Sequence, residues 1–69
     1  MQLQRVVSST IEAAGYDNVK SSMFIQFKDG SLYEYEQMPF AIFQRFMGAP
    51  SKGSFLSKLN KSFKAIKLK

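Results

Sequence analysis

Cysteine, histidine and tryptophan are all missing from this 69-residue chain. Without thiol or imidazole there is no disulfide, no zinc-type ligand set and no Cys–His or Ser–His nucleophile pair. Acids are scarce as well. Glu12, Asp17, Asp29, Glu34 and Glu36 are the only carboxylate side chains, and none follows Glu36. Glu34 and Glu36 alternate onto one strand face, but paired carboxylates need an enclosed cleft to drive their pKa values apart for acid–base work. In so small a domain they read as two solvated charges. The expectation is a protein that is not an enzyme, with no catalytic residue, no metal and no cofactor. Long apolar runs are missing too. The longest uncharged stretch, Gln37 to Gln44, falls well short of the roughly 18 residues that cross a bilayer. No basic leader followed by an apolar run opens the chain, which fits a soluble, cytoplasmic protein with no membrane partner.

Aromatics and lysines are what the chain does have. Seven Phe and three Tyr make up 14% of it, and each buried ring removes roughly 150–250 Å² from water. They have to build the core, because a single domain spanning 1–69 buries only about 60% of the surface that its unfolded chain exposes. Charge is segregated. Residues 37–69 hold Arg45, Lys52, Lys58, Lys61, Lys64, Lys67 and Lys69 with no acid, a block of +7 against −2 for residues 1–36. A block of one sign attracts phosphate polymers or acidic partners.

Ser22–Phe27 and Leu32–Gln37 read as two strands of a hairpin around Lys28-Asp29-Gly30-Ser31. Parity selects the loop. A two-residue Asp29-Gly30 loop sets Met23, Ile25 and Phe27 opposite Leu32, Glu34 and Glu36, mixing apolar side chains with charge. A three-residue loop with Gly30 left-handed puts Met23, Ile25, Phe27, Tyr33 and Tyr35 on one face. The opposite face then holds Phe24, Gln26, Leu32, Glu34 and Glu36 and faces solvent. Upstream, Ser9 and Glu12 have capping-box spacing, whereas Val6, Val7, Thr10 and Ile11 favour a strand. Gly15-Tyr16-Asp17-Asn18 supplies turn chemistry.

Two helices follow. Pro39 opens one that carries Phe40, Phe43, Phe46 and Met47, and Gly48 with Pro50 closes it. A second, Lys-rich helix or tail is expected from about residue 54, burying Phe55, Leu56, Leu59, Phe63 and Ile66 and turning Lys58, Lys61 and Lys64 outward. Gly48 to Ser54 superficially matches a phosphate loop, but Lys52 precedes Gly53, the reverse of the required order. Capping of the second helix by Ser51 or Ser54 is the simpler reading. The expected fold is α+β: a short antiparallel meander of about three strands followed by two helices packed on one face.

Around Tyr33-Glu34-Tyr35 the order of features resembles the small KTSC domain, also found at the C-terminus of some lysyl-tRNA synthetases. The matching residues are Val7-Ser8-Ser9 with Ile11, Gly15-Tyr16-Asp17, the alternating Met23, Ile25 and Phe27 before Gly30, and Tyr33-x-Tyr35. Pro39 and Ala49-Pro50-Ser51-x-Gly53-x-Phe55 continue the series. The resemblance implies a β-meander followed by helices, makes Ser9 to Tyr16 a strand, and carries no established activity but a suggestion of RNA binding. The Lys-rich stretch after Ser57 departs from the family's more mixed charge.

The functional expectation is a non-catalytic module that binds RNA or other nucleic acid at its phosphates, with little sequence preference. Lys58, Lys61 and Lys64 form the centre of that site, with Lys52, Arg45 and Lys67 around it. Phe24, on the expected open face, is the candidate for base stacking, while Tyr33 and Tyr35 read as family-motif residues packed in the core. The alternative is a protein-interaction module, a small regulator or inhibitor that docks an acidic or aromatic surface.

Overall fold

A left-handed glycine sets the central hairpin. In the structure, a computed structural model describing residues 2–69, Gly30 has φ +94° and the Phe27 N–H donates to Ser31 O at 2.9 Å. Residues 28–30 are therefore the three-residue loop that parity requires. The strands are β1 (Gln4–Arg5), β2 (Ile11–Asp17), β3 (Ser22–Phe27), β4 (Leu32–Tyr35) and β5 (Ala65–Lys67); α1 (Phe40–Gly48) and α2 (Lys52–Leu59) lie between β4 and β5. All five strands form one antiparallel sheet in the order β1-β2-β3-β4-β5. The fold is α+β as expected, with two short edge strands added to the three that patterning reveals.

Of the expected Ser9–Tyr16 strand, Ile11 onward is extended while Ser9 and Thr10 lie in a bend, and β2 owes its apolar face to an irregularity. Ile11 pairs with Phe27 and Ala13 with Gln26, so Glu12 is an inserted residue. A bulge of this kind shifts parity by one. Ile11, Ala14 and Tyr16 thereby share the face of Phe27, Ile25 and Met23, although Ile11 and Ala14 are three apart. Glu12 turns aside to meet Arg5 of β1 at 3.1 Å, the one ion pair among the described residues. Gly15, Tyr16 and Asp17 belong to the strand rather than to the turn. The reversal comes at 18–21, where Asp17 Oδ1 accepts from Val19 N–H at 2.9 Å and Lys20 N–H at 3.3 Å.

Both helices cover this face. Ile11, Ala14, Met23, Ile25, Tyr35 and Met38 from the sheet side meet Phe46, Leu56 and Leu59 in one buried cluster. Tyr16, Phe40 and Phe43 stack at its margin with centroids 5.2–6.1 Å apart, and the Tyr16 hydroxyl donates to Met38 O at 2.6 Å.

Two expectations need correction. α2 starts at Lys52 and stops at Leu59, so no helix continues to Ile66. Lys58, Lys61, Lys64 and Lys67 fall three residues apart, and a continuous helix would stack four like charges along one face with no acid to offset them. Instead the chain turns at Asn60–Ser62, and Ile66 pairs with Glu34 across the sheet. Phe24 is the second correction. It is 5% exposed, although its side of the sheet carries no helix. Its cross-strand partners are Gly15 and Glu34. Gly15 adds no side chain to that row. Phe24 is therefore a packing residue and offers no exposed platform for a base.

Candidate nucleic-acid interface

Asn60 ends α2 with its backbone N–H bonded to Leu56 O and its side chain turned to the sheet. The Tyr35 hydroxyl donates to Asn60 Oδ1 at 2.6 Å. Burial first, and then the neighbouring Tyr33, pushes the Tyr35 hydroxyl above the ordinary tyrosine range. It therefore stays protonated and keeps donating at neutral pH. This bond ties β4 to the turn that carries the lysines.

An open cleft of about 370 Å³ lies beside that bond, with Phe27, Tyr33, Tyr35, Asp29, Ser31 and Asn60 among its walls. That volume is near the lower end of small-ligand sites, roughly 300–1,000 Å³. Phe27 and Tyr33 meet edge to face with centroids 5.5 Å apart. At the loop end, Asp29 Oδ1 accepts from both the Ser31 hydroxyl at 2.7 Å and the Ser31 N–H at 2.9 Å. These two bonds, with a smaller contribution from Lys67, hold its carboxyl below the usual carboxylate range. A second hollow of about 350 Å³, lined by Thr10, Gly53, Leu56 and Ser57, shares Phe27 and Asn60 with the first.

The predicted basic residues divide into two groups. Lys61 and Lys64 lie in the segment between Asn60 and Ala65, both of which line the cleft. Lys67 stands directly across the β4–β5 ladder from Tyr33, so the two side chains leave the same face of the sheet. Lys58 is one turn upstream, exposed in the last turn of α2. Lys67 is the one of these four whose position against the cleft wall is set by the sheet, and none of the four has an ion-pair partner among the described residues. Lys52 is at the far end of α2, where its Nζ donates to Ala49 O at 3.0 Å and closes α1. Arg45 is exposed on α1. These last two belong to the helix junction rather than to the cleft.

Tyr33 and Tyr35 also separate. Tyr35 is 2% exposed and belongs to the core, whereas Tyr33 is half-buried and forms part of the cleft wall. Phe27, Asp29 and Asn60 join them here with no spacing signal to mark them, since the loop and the end of α2 meet only through the tertiary fold. The α2 N-terminus is capped as expected, Ser51 Oγ accepting from Ser54 N–H at 3.4 Å. Among the described residues no cluster of three or more potential metal ligands exists, and no helix is long and apolar enough to cross a membrane.

Known proteins share much of this chain's sequence and its fold. A protein of Tsukamurella paurometabola is 37% identical over 67 residues, covering 96% of this chain and all of that protein. A lysine–tRNA ligase of Nostoc sp. is 34% identical over 53 residues, which is 77% of this chain and 9% of the ligase. The crystal structure of a KTSC domain protein from Yersinia pestis superposes with a TM-score of 0.88 at 38% identity, covering 99% of this chain and 97% of that one. The family model of the KTSC domain matches residues 7–62, and with the fold and the relatives in agreement, the chain belongs to the KTSC domain family.

Proposed function

We propose that this chain is a non-catalytic binding module whose partner is nucleic acid, RNA above all, held at its phosphates by Lys58, Lys61, Lys64 and Lys67. The observation that carries the reading is a succession of exposed, unpaired cations from a half-chain with no acid, the last of them, Lys67, directly opposite Tyr33 of the aromatic cleft. Lysines contact phosphate as mobile point charges and read no sequence, so binding is salt-sensitive and of low specificity. The Nostoc relative adds support, since by its name it acts on tRNA. A cytoplasmic setting suits a chain without cysteine.

Fluorescence anisotropy with labelled single-stranded RNA, duplex RNA and DNA, from about 50 to 300 mM salt, tests this reading. Three to four phosphate contacts give a log–log slope near −2 to −4. The triple variant Lys58→Glu, Lys61→Glu, Lys64→Glu should abolish binding and keep its circular dichroism spectrum. Unchanged binding by the folded variant would sink the site.

A protein partner is the second reading, favoured by one feature. Phe40 is 47% exposed beside Tyr16 and Phe43. A complex made there persists at about 0.5 M salt, where phosphate contacts are lost.

A further inference from the structure

Phosphate contacts alone leave the cleft unexplained. Beside the cation strip it presents two half-buried rings, one carboxylate and one side-chain amide, and each of these has capacity to spare. Asp29 Oδ1 takes both Ser31 bonds and Oδ2 takes none. Asn60 Oδ1 is occupied by the Tyr35 hydroxyl, while its amide N–H₂ has no acceptor among the described residues. The site therefore offers aromatic surface, one acceptor and one donor. A carboxylate repels phosphate, so whatever enters the cleft is not itself the anion. Lys67, opposite Tyr33, stands where an anion attached to such a ligand would emerge.

Resting on the reading above, we propose that the cleft between Phe27, Tyr33 and Asn60 receives one unpaired nucleobase bearing an exocyclic amino group, with its phosphate at Lys67. The amino group donates to Asp29 Oδ2, a ring or carbonyl acceptor takes the Asn60 N–H, and the base face lies against Tyr33. A paired base cannot enter, because its edge is occupied and its faces are stacked. Uracil has no amino group and satisfies the site least. The module therefore prefers unpaired RNA to duplex, and adenine or cytosine to uracil.

The test measures anisotropy for labelled oligo-A, oligo-C, oligo-U and duplex RNA with the parent protein, Tyr33→Leu and Asp29→Asn. Intrinsic tyrosine fluorescence is followed alongside. The chain has no Trp, and two of its three Tyr line the cleft, so a stacking base quenches that signal directly. Tyr33→Leu, which keeps apolar bulk, should weaken oligo-A binding about tenfold, the order expected for losing one base–aromatic stack. Its duplex affinity should not change. Asp29→Asn, at an exposed turn, should erase the preference of oligo-A and oligo-C over oligo-U. Should both variants bind oligo-A like the parent while Lys61→Glu/Lys67→Glu weakens every probe, the cleft proposal falls and the phosphate reading stands. If the parent binds no probe at low salt, both fall.

Discussion

The Tyr35 hydroxyl and Asn60 Oδ1, 2.6 Å apart, join the central hairpin to the turn that ends α2. Replacing Tyr35 by Phe removes the donor and keeps the ring in the core. Asn60 is exposed, so water replaces the lost partner and the cost stays near that of one net hydrogen bond, about 1 kcal/mol. In a domain of this size that lowers Tm by roughly 4–8 °C.

The same hydroxyl gives stability a pH dependence. Its folded-state pKa is raised above the ordinary value of 10.0, so the folded state favours the neutral phenol. Its contribution is complete below that value and disappears as pH climbs through the higher, folded value. Urea midpoints of the parent and of Tyr35→Phe should therefore differ most near pH 7–9, and the gap should narrow as pH rises past 10.0. A constant gap up to pH 11 would mean that the hydroxyl is not held neutral by the fold.

Gly30→Ala tests the loop. At φ +94° an added Cβ meets no atom within 4 Å, so the penalty comes from the backbone alone. We expect a loss of about 1–2 kcal/mol in urea unfolding. Gly30→Asn should cost less, because Asn tolerates positive φ better. Equal stability of all three proteins would contradict a left-handed residue here.

Phe24→Ala separates packing from stacking. With Phe24 buried to 5% exposure, the loss should be about 3 kcal/mol, the low end for deleting a large buried ring. Where enough folded protein remains, RNA affinity per folded molecule should be unchanged. A residue serving as a platform behaves in the opposite way, keeping Tm and losing affinity.

How much of this was legible follows from the range of each interaction. The hairpin register was open to reading because side-chain parity and the Gly30 loop act within a dozen residues. α1 was readable because Phe43, Phe46 and Met47 repeat at helical spacing between Pro39 and Gly48. Phe55, Leu56, Leu59, Phe63 and Ile66 repeat just as well, yet the helix ends at Leu59. The edge of β4 competes for Ala65–Lys67, and sequence periodicity contains no term for an edge 30 residues away. Phe24 was misplaced for a related reason. Parity separated it from the helix-covered face, but alternation along one strand says nothing of how deeply the tertiary fold buries the other face. In the candidate site, Lys58, Lys61, Lys64 and Lys67 were visible as charge. Phe27, Asp29 and Asn60 came into view only when the loop, β3 and the end of α2 met.

Lys52 and Lys67 should behave differently, although either is simply a lysine in sequence. Lys52 Nζ bonds Ala49 O, so Lys52→Met should lower Tm by a degree or two and leave the salt slope of RNA binding alone. Lys67→Met should reduce that slope by about 0.7, the share of one phosphate contact on a single strand. The reverse result would move the interface to the helix junction and Arg45.

Removing residues 64–69 tests whether β5 serves the fold as well as the interface. β5 pairs Tyr33, Glu34 and Tyr35 with Lys67, Ile66 and Ala65, and beyond it Leu68 N–H donates to Leu32 O at 2.7 Å. Without these bonds, β4 presents an open row of N–H and C=O groups flanked by Tyr33 and Phe27. An uncovered apolar edge of this kind pairs with another copy, whereas a short strand bearing lysines discourages it. The truncated chain should unfold at a lower temperature and show concentration-dependent growth in light scattering at tens of micromolar. Replacing Lys64, Lys67 and Lys69 by Gln in the full chain should keep the fold and weaken RNA binding, because the ladder survives while the charges are lost. A truncated chain that shows no such growth and an unchanged Tm would show that β5 contributes nothing to the sheet and would leave its lysines as the only reason for its presence.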